Sequence, residues 1–308
     1  MFSFLVAWEI MALSAYLLVM HEHEAAAVRR AGFIYLALTH VSTLALLALF
    51  AALRAPASAG SFAALAAGSA PGSAGAAGRT LVLALALVGF GIKAGTVPVH
   101  FWLPGAHAAA PSHVSAVLSG VMLKVGIYGL LRVLWLLGGP PAWLGWTLLG
   151  LGLVSGILGV LWALGQHDLK RLLAYSSVEN VGIILLALGV GVLGSAYGAP
   201  AVAVLGYAGA LLHTLNHAVF KSLLFLGAGA VVRATGTRAL DRLGGVGRVM
   251  PWTGVAFGVG AVAIVGLPPL NGFVSEWIIF QGLLLTSQQG GALVLLVAGV
   301  AGLALIGA

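Results

Sequence analysis

The sequence predicts an all-α, polytopic membrane helix bundle, and three observations carry that expectation. Of 308 residues, 61% are hydrophobic and only 7% charged, against about 25% charged in a soluble domain. Apolar runs of spanning length recur along most of the chain, at a mean hydropathy of +1.11. Runs such as Leu81–Gly89 lack the alternation of a transmembrane β-barrel. This composition excludes a soluble enzyme, a nucleic-acid binder and a disordered chain. The net charge of +7 does not point to nucleic acid, because the ten arginines are scattered singly or in pairs between apolar stretches. With no cysteine, the chain offers no disulfide, thiolate nucleophile, iron–sulfur ligand or Cys-bound zinc.

Hydropathy places spans at roughly 1–20, 31–53, 81–103, 113–137, 142–165, 171–194, 201–232 and 252–287, with a ninth beginning near 292. The first is a true span, not a secretory signal: it lacks a basic leader and a small-residue cleavage site, and it carries Glu9 in mid-span. Both ends are expected to be cut from a longer protein, since Val294–Ala308 is too short to cross a bilayer. The linker Ala55–Gly78, rich in Ala, Gly, Ser and Pro, reads as a floppy or weakly helical loop. Arg29, Arg30, Lys170, Arg171, Arg233, Arg238, Arg242 and Arg248 fall in odd connections, against Arg54, Arg79 and Arg132 in even ones. Eight against three puts the odd connections in the cytoplasm and residue 1 outside.

Two spans are expected to be broken. Pro98 and Pro104 follow Lys93, and Pro268 and Pro269 interrupt 252–287 ahead of Glu276. Proline removes a backbone donor and clashes with the preceding turn. Broken spans that line a cavity are typical of transporters, often at corresponding positions of two repeats. About five helices separate the breaks, which predicts inverted five-helix repeats: 1–137, lacking its first helix, and 138–308.

Glu9, Lys93, Lys124, Glu179, Lys221 and Glu276 lie inside or near the ends of spans, where a central charge costs about 2.5–3.5 kcal/mol on insertion scales. Three of four lysines are in spans while the arginines keep to loops and helix ends. Lysine can release its proton when buried and arginine cannot, so this segregation points to proton exchange, not to a fixed anion site. His213, His217 and Lys221 fall at i, i+4 and i+8, stacked on one helix face about 6 Å apart, a step that one or two waters can bridge. His40 is a secondary relay candidate, as is Glu179, and His100, His107 and His113 border the first break. Each has a plainer reading. Single buried histidines and lysines often join helices by hydrogen bonds, Glu179 could merely pair with a lysine, and Lys170 with Arg171 is most simply a stop signal. A metal pair at His213 and His217 lacks a carboxylate or cysteine at ligand spacing. Runs such as GLGLVSGILG read as close-packing surfaces.

Five stretches in order resemble the antiporter-like proton-conducting membrane subunits: WEIMALSAYLLV, GIKAGTVPVHFWLPGAHAAAPSHVSAVLSGVMLKVGIYGLLR, HDLKRLLAYSSVENVGIILLALG, HTLNHAVFKSLLFLGAG and GLPPLNGFVSEW. That family includes large membrane subunits of respiratory complex I, of Mrp-type cation/proton antiporters and of energy-converting hydrogenases. Ser-Val-Glu-Asn at 177–180 is similar to the hydrogenase-4 component B and formate hydrogenlyase branch, where complex I subunits usually carry Ser-Gln. The resemblance implies that Glu9 and Lys93 form a first charged pair and that Lys124 links it onward. It implies further that His213, His217 and Lys221 connect toward the second break, and that Glu276 exchanges protons with the outside. It also implies a bacterial or archaeal cytoplasmic membrane and a multi-subunit complex whose partners hold nickel–iron and iron–sulfur centres, this chain binding no cofactor. The partners expected are protons, with sodium as an alternative, lipid and other subunits. A sodium/proton antiporter subunit, an NADH–quinone oxidoreductase subunit and a purely structural scaffold are the rival readings.

Overall fold

The computed structural model of the chain describes residues 1–53 and 76–290, and among them every regular element is helical. Helices α1 (Phe2–Val19), α2 (Ala26–Ala52) and α3 (Ala76–Ala94) are followed by a short α4 (Trp102–Ala109). Then come α5 (Ser112–Leu137), which contains a π-helical turn at Leu118–Met122, and α6 (Ala142–Leu164), α7 (Leu169–Ala196) and α8 (Pro200–Thr235). The last two are α9 (Pro251–Ile264) and α10 (Asn271–Gly290). Seven of the described helices are long and apolar enough to cross a bilayer. The linker at 55–78 lies almost wholly outside the described residues, as do Arg54 and the ninth span near 292.

The span expected at 81–103 is α3 plus a separate half-helix α4, and the one at 252–287 is α9 plus α10. Both breaks are built alike. The first helix ends on a left-handed glycine, Gly95 (φ +79°) or Gly266 (φ +68°), and a proline segment follows. The freed backbone is answered locally: Trp102 Nε1 donates to the Ile92 carbonyl at 2.8 Å, and Val97 N–H to Ser155 Oγ at 3.1 Å. Helix α2 starts five residues earlier than hydropathy suggests, because its first turns carry Arg29 and Arg30 beyond the apolar stretch. Arg132 lies within α5, stacked on Trp135, and is not in a connection. Arg79 caps the carboxyl end of α5 through the carbonyls of Leu137, Gly138 and Gly139.

Helix α7 is the centre of the bundle, buried at every residue from Ser176 to Gly194. Asp168 caps its start, accepting from the backbone N–H of Lys170 and Arg171 at 2.9 and 3.1 Å. The glycine-rich run of α6 forms a seam against α7, where Gly182 meets Gly152 and Gly156. A Cβ at Gly182 would lie 2.5 Å from the Gly156 nitrogen and 2.6 Å from the Gly152 oxygen, and neither backbone can yield. Gly182→Val is therefore expected to cost about 3 kcal/mol and to lower the melting temperature in detergent by several degrees. An unchanged melting temperature would show that the seam is loose.

Candidate functional site

The bundle gathers its buried polar groups in two clusters, one under α1–α3 and one where α5, α7, α8 and α10 meet. In the first, Lys93 sits in the last turn of α3 and is 1% exposed. Its Nζ donates to Tyr35 Oη at 3.3 Å and lies 5.5 and 5.4 Å from the ring centres of Trp8 and Tyr35. Such a box holds a cation through the negative faces of the rings. Tyr35 Oη in turn donates to the Ala12 carbonyl at 3.2 Å, and Trp102 packs edge-on against its ring. Glu9 is half-buried on α1 beside Trp8. Among the described residues the ion pairs within 4.0 Å are His167–Asp241 and Arg238–Asp168. Glu9 thus reaches Lys93 only at longer electrostatic range, with the aromatic box as the direct partner.

The second cluster is a row of hydrogen-bonded groups, joined at Ser119 and Ser176 through those residues' own backbone. Lys124 Nζ donates to the carbonyl of Ser119, within the π-helical turn. Ser119 Oγ contacts Ser177 Oγ at 2.9 Å, and Ser177 Oγ donates to the Leu173 carbonyl at 3.0 Å. Lys221 Nζ, fully buried on α8, donates to that same carbonyl at 2.8 Å and to Ser176 Oγ at 2.6 Å. From there Asn180 Nδ2 donates to the Ser176 carbonyl at 2.8 Å, and Asn180 Oδ1 accepts from His213 Nε2 at 3.2 Å. This assigns the tautomer of His213, so its Nδ1 accepts from Ser275 Oγ at 3.0 Å. Asn216 Nδ2 donates to Ser275 Oγ at 3.0 Å and to the Asn271 carbonyl at 2.7 Å, tying α8 to the start of α10. Glu276 is the next residue, 8% exposed, its carboxylate folded over Gly266 of the second break.

The expected His213, His217 and Lys221 all lie buried on one side of α8, with the two imidazoles stacked at 6.5 Å. Among the described residues His217 and His107 have no hydrogen-bond partner on either ring nitrogen, and His107 stacks on Phe225 at 4.7 Å. Glu179 is buried beside Lys221 with Oε1 also unpartnered. His40 does not join either cluster: it is exposed on α2 and bonded to its own Leu36 carbonyl at 2.8 Å. His113 is exposed as well, whereas His100 is buried and stacked on Trp162.

Sequence reasoning missed Trp8, Tyr35, Ser176, Asn180 and Ser275. It also took Lys170 for a surface stop signal. Instead Lys170 is 5% exposed and donates to the Ala110 carbonyl, while Arg238, paired with Asp168 at 2.6 Å, donates to the Ala108 carbonyl at 2.6 Å. Two cations thereby close the carboxyl end of half-helix α4. The i, i+3 spacing from Ser177 to Asn180 and the Asn216–His217 pair were the available signals for the polar path.

Residues 1–303 match the family model described as NADH:quinone oxidoreductase/Mrp antiporter, TM. The chain is 43% identical over 290 residues to "Hydrogenase-4 component B" of Escherichia coli, covering 93% of this chain and 42% of the relative. It is 48% identical over 206 residues to "Formate hydrogenlyase subunit 3" of the same organism, covering 67% of this chain and 34% of that one. The chain thus spans less than half the length of these curated relatives. Among solved structures, a chain of the Mrp complex from Dietzia sp. superposes with a TM-score of 0.80 at 26% identity, covering 99% of this chain and 55% of the other.

Proposed function

The chain belongs to the NADH:quinone oxidoreductase/Mrp antiporter transmembrane family, and from that premise we propose that it carries protons across a prokaryotic cytoplasmic membrane as a subunit of a hydrogenase-4-like oxidoreductase complex. The carrying observation is the row of buried, hydrogen-bonded groups from Lys124 through Ser119, Ser177, Lys221, Ser176, Asn180 and His213 to Ser275, next in sequence to Glu276. Lysine, histidine and carboxylate side chains can each take up and release a proton. Serine hydroxyls and the Asn180 amide hold them in register through a core otherwise lined by apolar side chains. Lys93, Tyr35 and Glu9 form the entrance group of the first repeat, and Glu276 at the second break is the group that exchanges with the outside. No residue here performs electron transfer. Nickel–iron and iron–sulfur centres belong to partner subunits, whose turnover would shift the charges of this chain. Residue 1 lies outside, consistent with the excess of cationic residues in the odd connections.

The likeness to the Mrp complex favours a second reading, a sodium/proton antiporter subunit using the same groups. Purifying the full-length parent from its own membrane in a mild detergent, with mass spectrometry of the co-purifying chains, separates the two. The proposal expects a nickel-containing partner rich in Cys-x-x-Cys motifs. Small cysteine-free membrane partners, with sodium-dependent proton exchange, would replace it with the antiporter.

A further inference from the structure

A cavity of about 370 Å³ lies between α6 and α9, and the floor beneath it is formed by α7 and α8. Its α7 wall is Leu169, Leu172, Leu173, Ser176 and Glu179, a single helix face. At 1.5 Å per residue it extends about 15 Å from the end of α7 toward mid-membrane. The mouth is marked by Leu240, in the loop that carries Arg238 and Arg242, and by Leu164, 75% exposed. That loop is laced to the start of α7 through Leu169 N–H to the Arg238 carbonyl and Leu240 N–H to the His167 carbonyl, both 2.9 Å. At the inner end stands Glu179, 4% exposed, its Oε1 without a protein partner.

We propose that this cavity is a hydrated port through which protons from the arginine-bearing surface reach Glu179 and pass to Lys221. The inference rests on the proton-carrying reading above. A carboxylate oxygen buried without a donor is costly, and in a site of this size water is the simplest donor. The cavity is large enough to hold water beside Ser176 and Glu179, the two polar groups on its wall. Ser176 links port and relay, since it lines the same wall and accepts from Lys221 Nζ at 2.6 Å. The remaining walls are hydrocarbon and supply no oxygen shell that would hold a dehydrated metal cation. The step moves one excess proton from the bulk, carried by water in the port, onto the Glu179 carboxylate and from there onto the neutral Lys221 amine, which leaves the water neutral and the carboxylate ionised again.

These 308 residues contain no cysteine, so a label found on a peptide of this segment sits on the introduced thiol. Leu172→Cys in the full-length parent, sealed in vesicles, would be treated with a small, charged, membrane-impermeant methanethiosulfonate and read by peptide mass spectrometry. Val259→Cys, on the exposed side of α9, serves as the lipid-facing control. Labelling of Leu172→Cys from one side of the membrane only, at least tenfold faster than the control, is expected. Labelling by an apolar maleimide alone would overturn the port, because the cavity would then be dry or lipid-filled. Glu179→Gln is expected to leave the labelling intact and to lower proton translocation at least tenfold. Full translocation in that variant would overturn the port while leaving the relay standing. A wild-type parent that moves no protons would overturn the relay and the port together, whatever the labelling shows.

Discussion

Lys93→Met is expected to lower proton translocation by the parent complex at least about 100-fold, the scale of loss for a positioned proton-transfer group, while assembly is retained. The geometry separates the two effects. Lys93 is 1% exposed and has no ion pair within 4.0 Å among the described residues, and its ammonium is held by one hydroxyl and two rings. Methionine keeps the length and the apolar stem, so Trp8 and Tyr35 retain their packing partner. Removing an unpaired buried charge in favour of a hydrocarbon of similar volume does not destabilise a core, and is often neutral or better. The variant should therefore purify with its partners at wild-type yield and melt no lower. Loss of assembly, or translocation at the wild-type rate, would remove Lys93 from the path.

Lys221→Met is expected to have a loss of the same order, for a different reason. Lys221 is the titratable junction of the second cluster: its Nζ bonds both the Leu173 carbonyl, which leads back to Ser177, Ser119 and Lys124, and Ser176, which leads on to Asn180 and His213. Methionine leaves the Leu173 carbonyl bonded to Ser177 Oγ and Ser176 Oγ donating to the carbonyls of Leu172 and Leu173, so no buried backbone group is orphaned. Lys221→Ala would instead leave a void and cost about 2–5 kcal/mol, confusing folding with function. If the two clusters act in series, the double variant Lys93→Met/Lys221→Met is no slower than either single one, a non-additivity that two independent paths would not produce. Initial rates of vesicle acidification for the three variants supply the comparison.

Much of this architecture was legible in the sequence because it depends on two local rules. Hydropathy locates helices, and proline locates the breaks at Pro98 and Pro268–Pro269. The 3.6-residue period then places His213, His217 and Lys221 together whatever surrounds them. What was not legible depends on lateral packing. Helix α7 is buried on every side, so no periodic apolar stripe announces which face meets α6 or α8. Its Ser176, Ser177 and Asn180 look like ordinary small polar residues until their neighbours are placed. His40 illustrates the converse: a histidine within a span turns to the exposed side and bonds to its own helix. Lys170 reads as a surface charge because its target, the Ala110 carbonyl, is 60 residues away in sequence. The aromatic box around Lys93 draws on three separate helices, and only Glu9, the charge beside Trp8, attracted notice.

The most direct test of the central claim is acidification of sealed vesicles holding the intact parent complex, driven by its own electron donor and followed with a pH-sensitive dye. The same preparation is measured with wild-type protein and with Lys93→Met. The account predicts rapid acidification for the wild type, with electron transfer continuing in the variant and acidification lost. Equal acidification by both would contradict it and leave the buried lysine a structural residue.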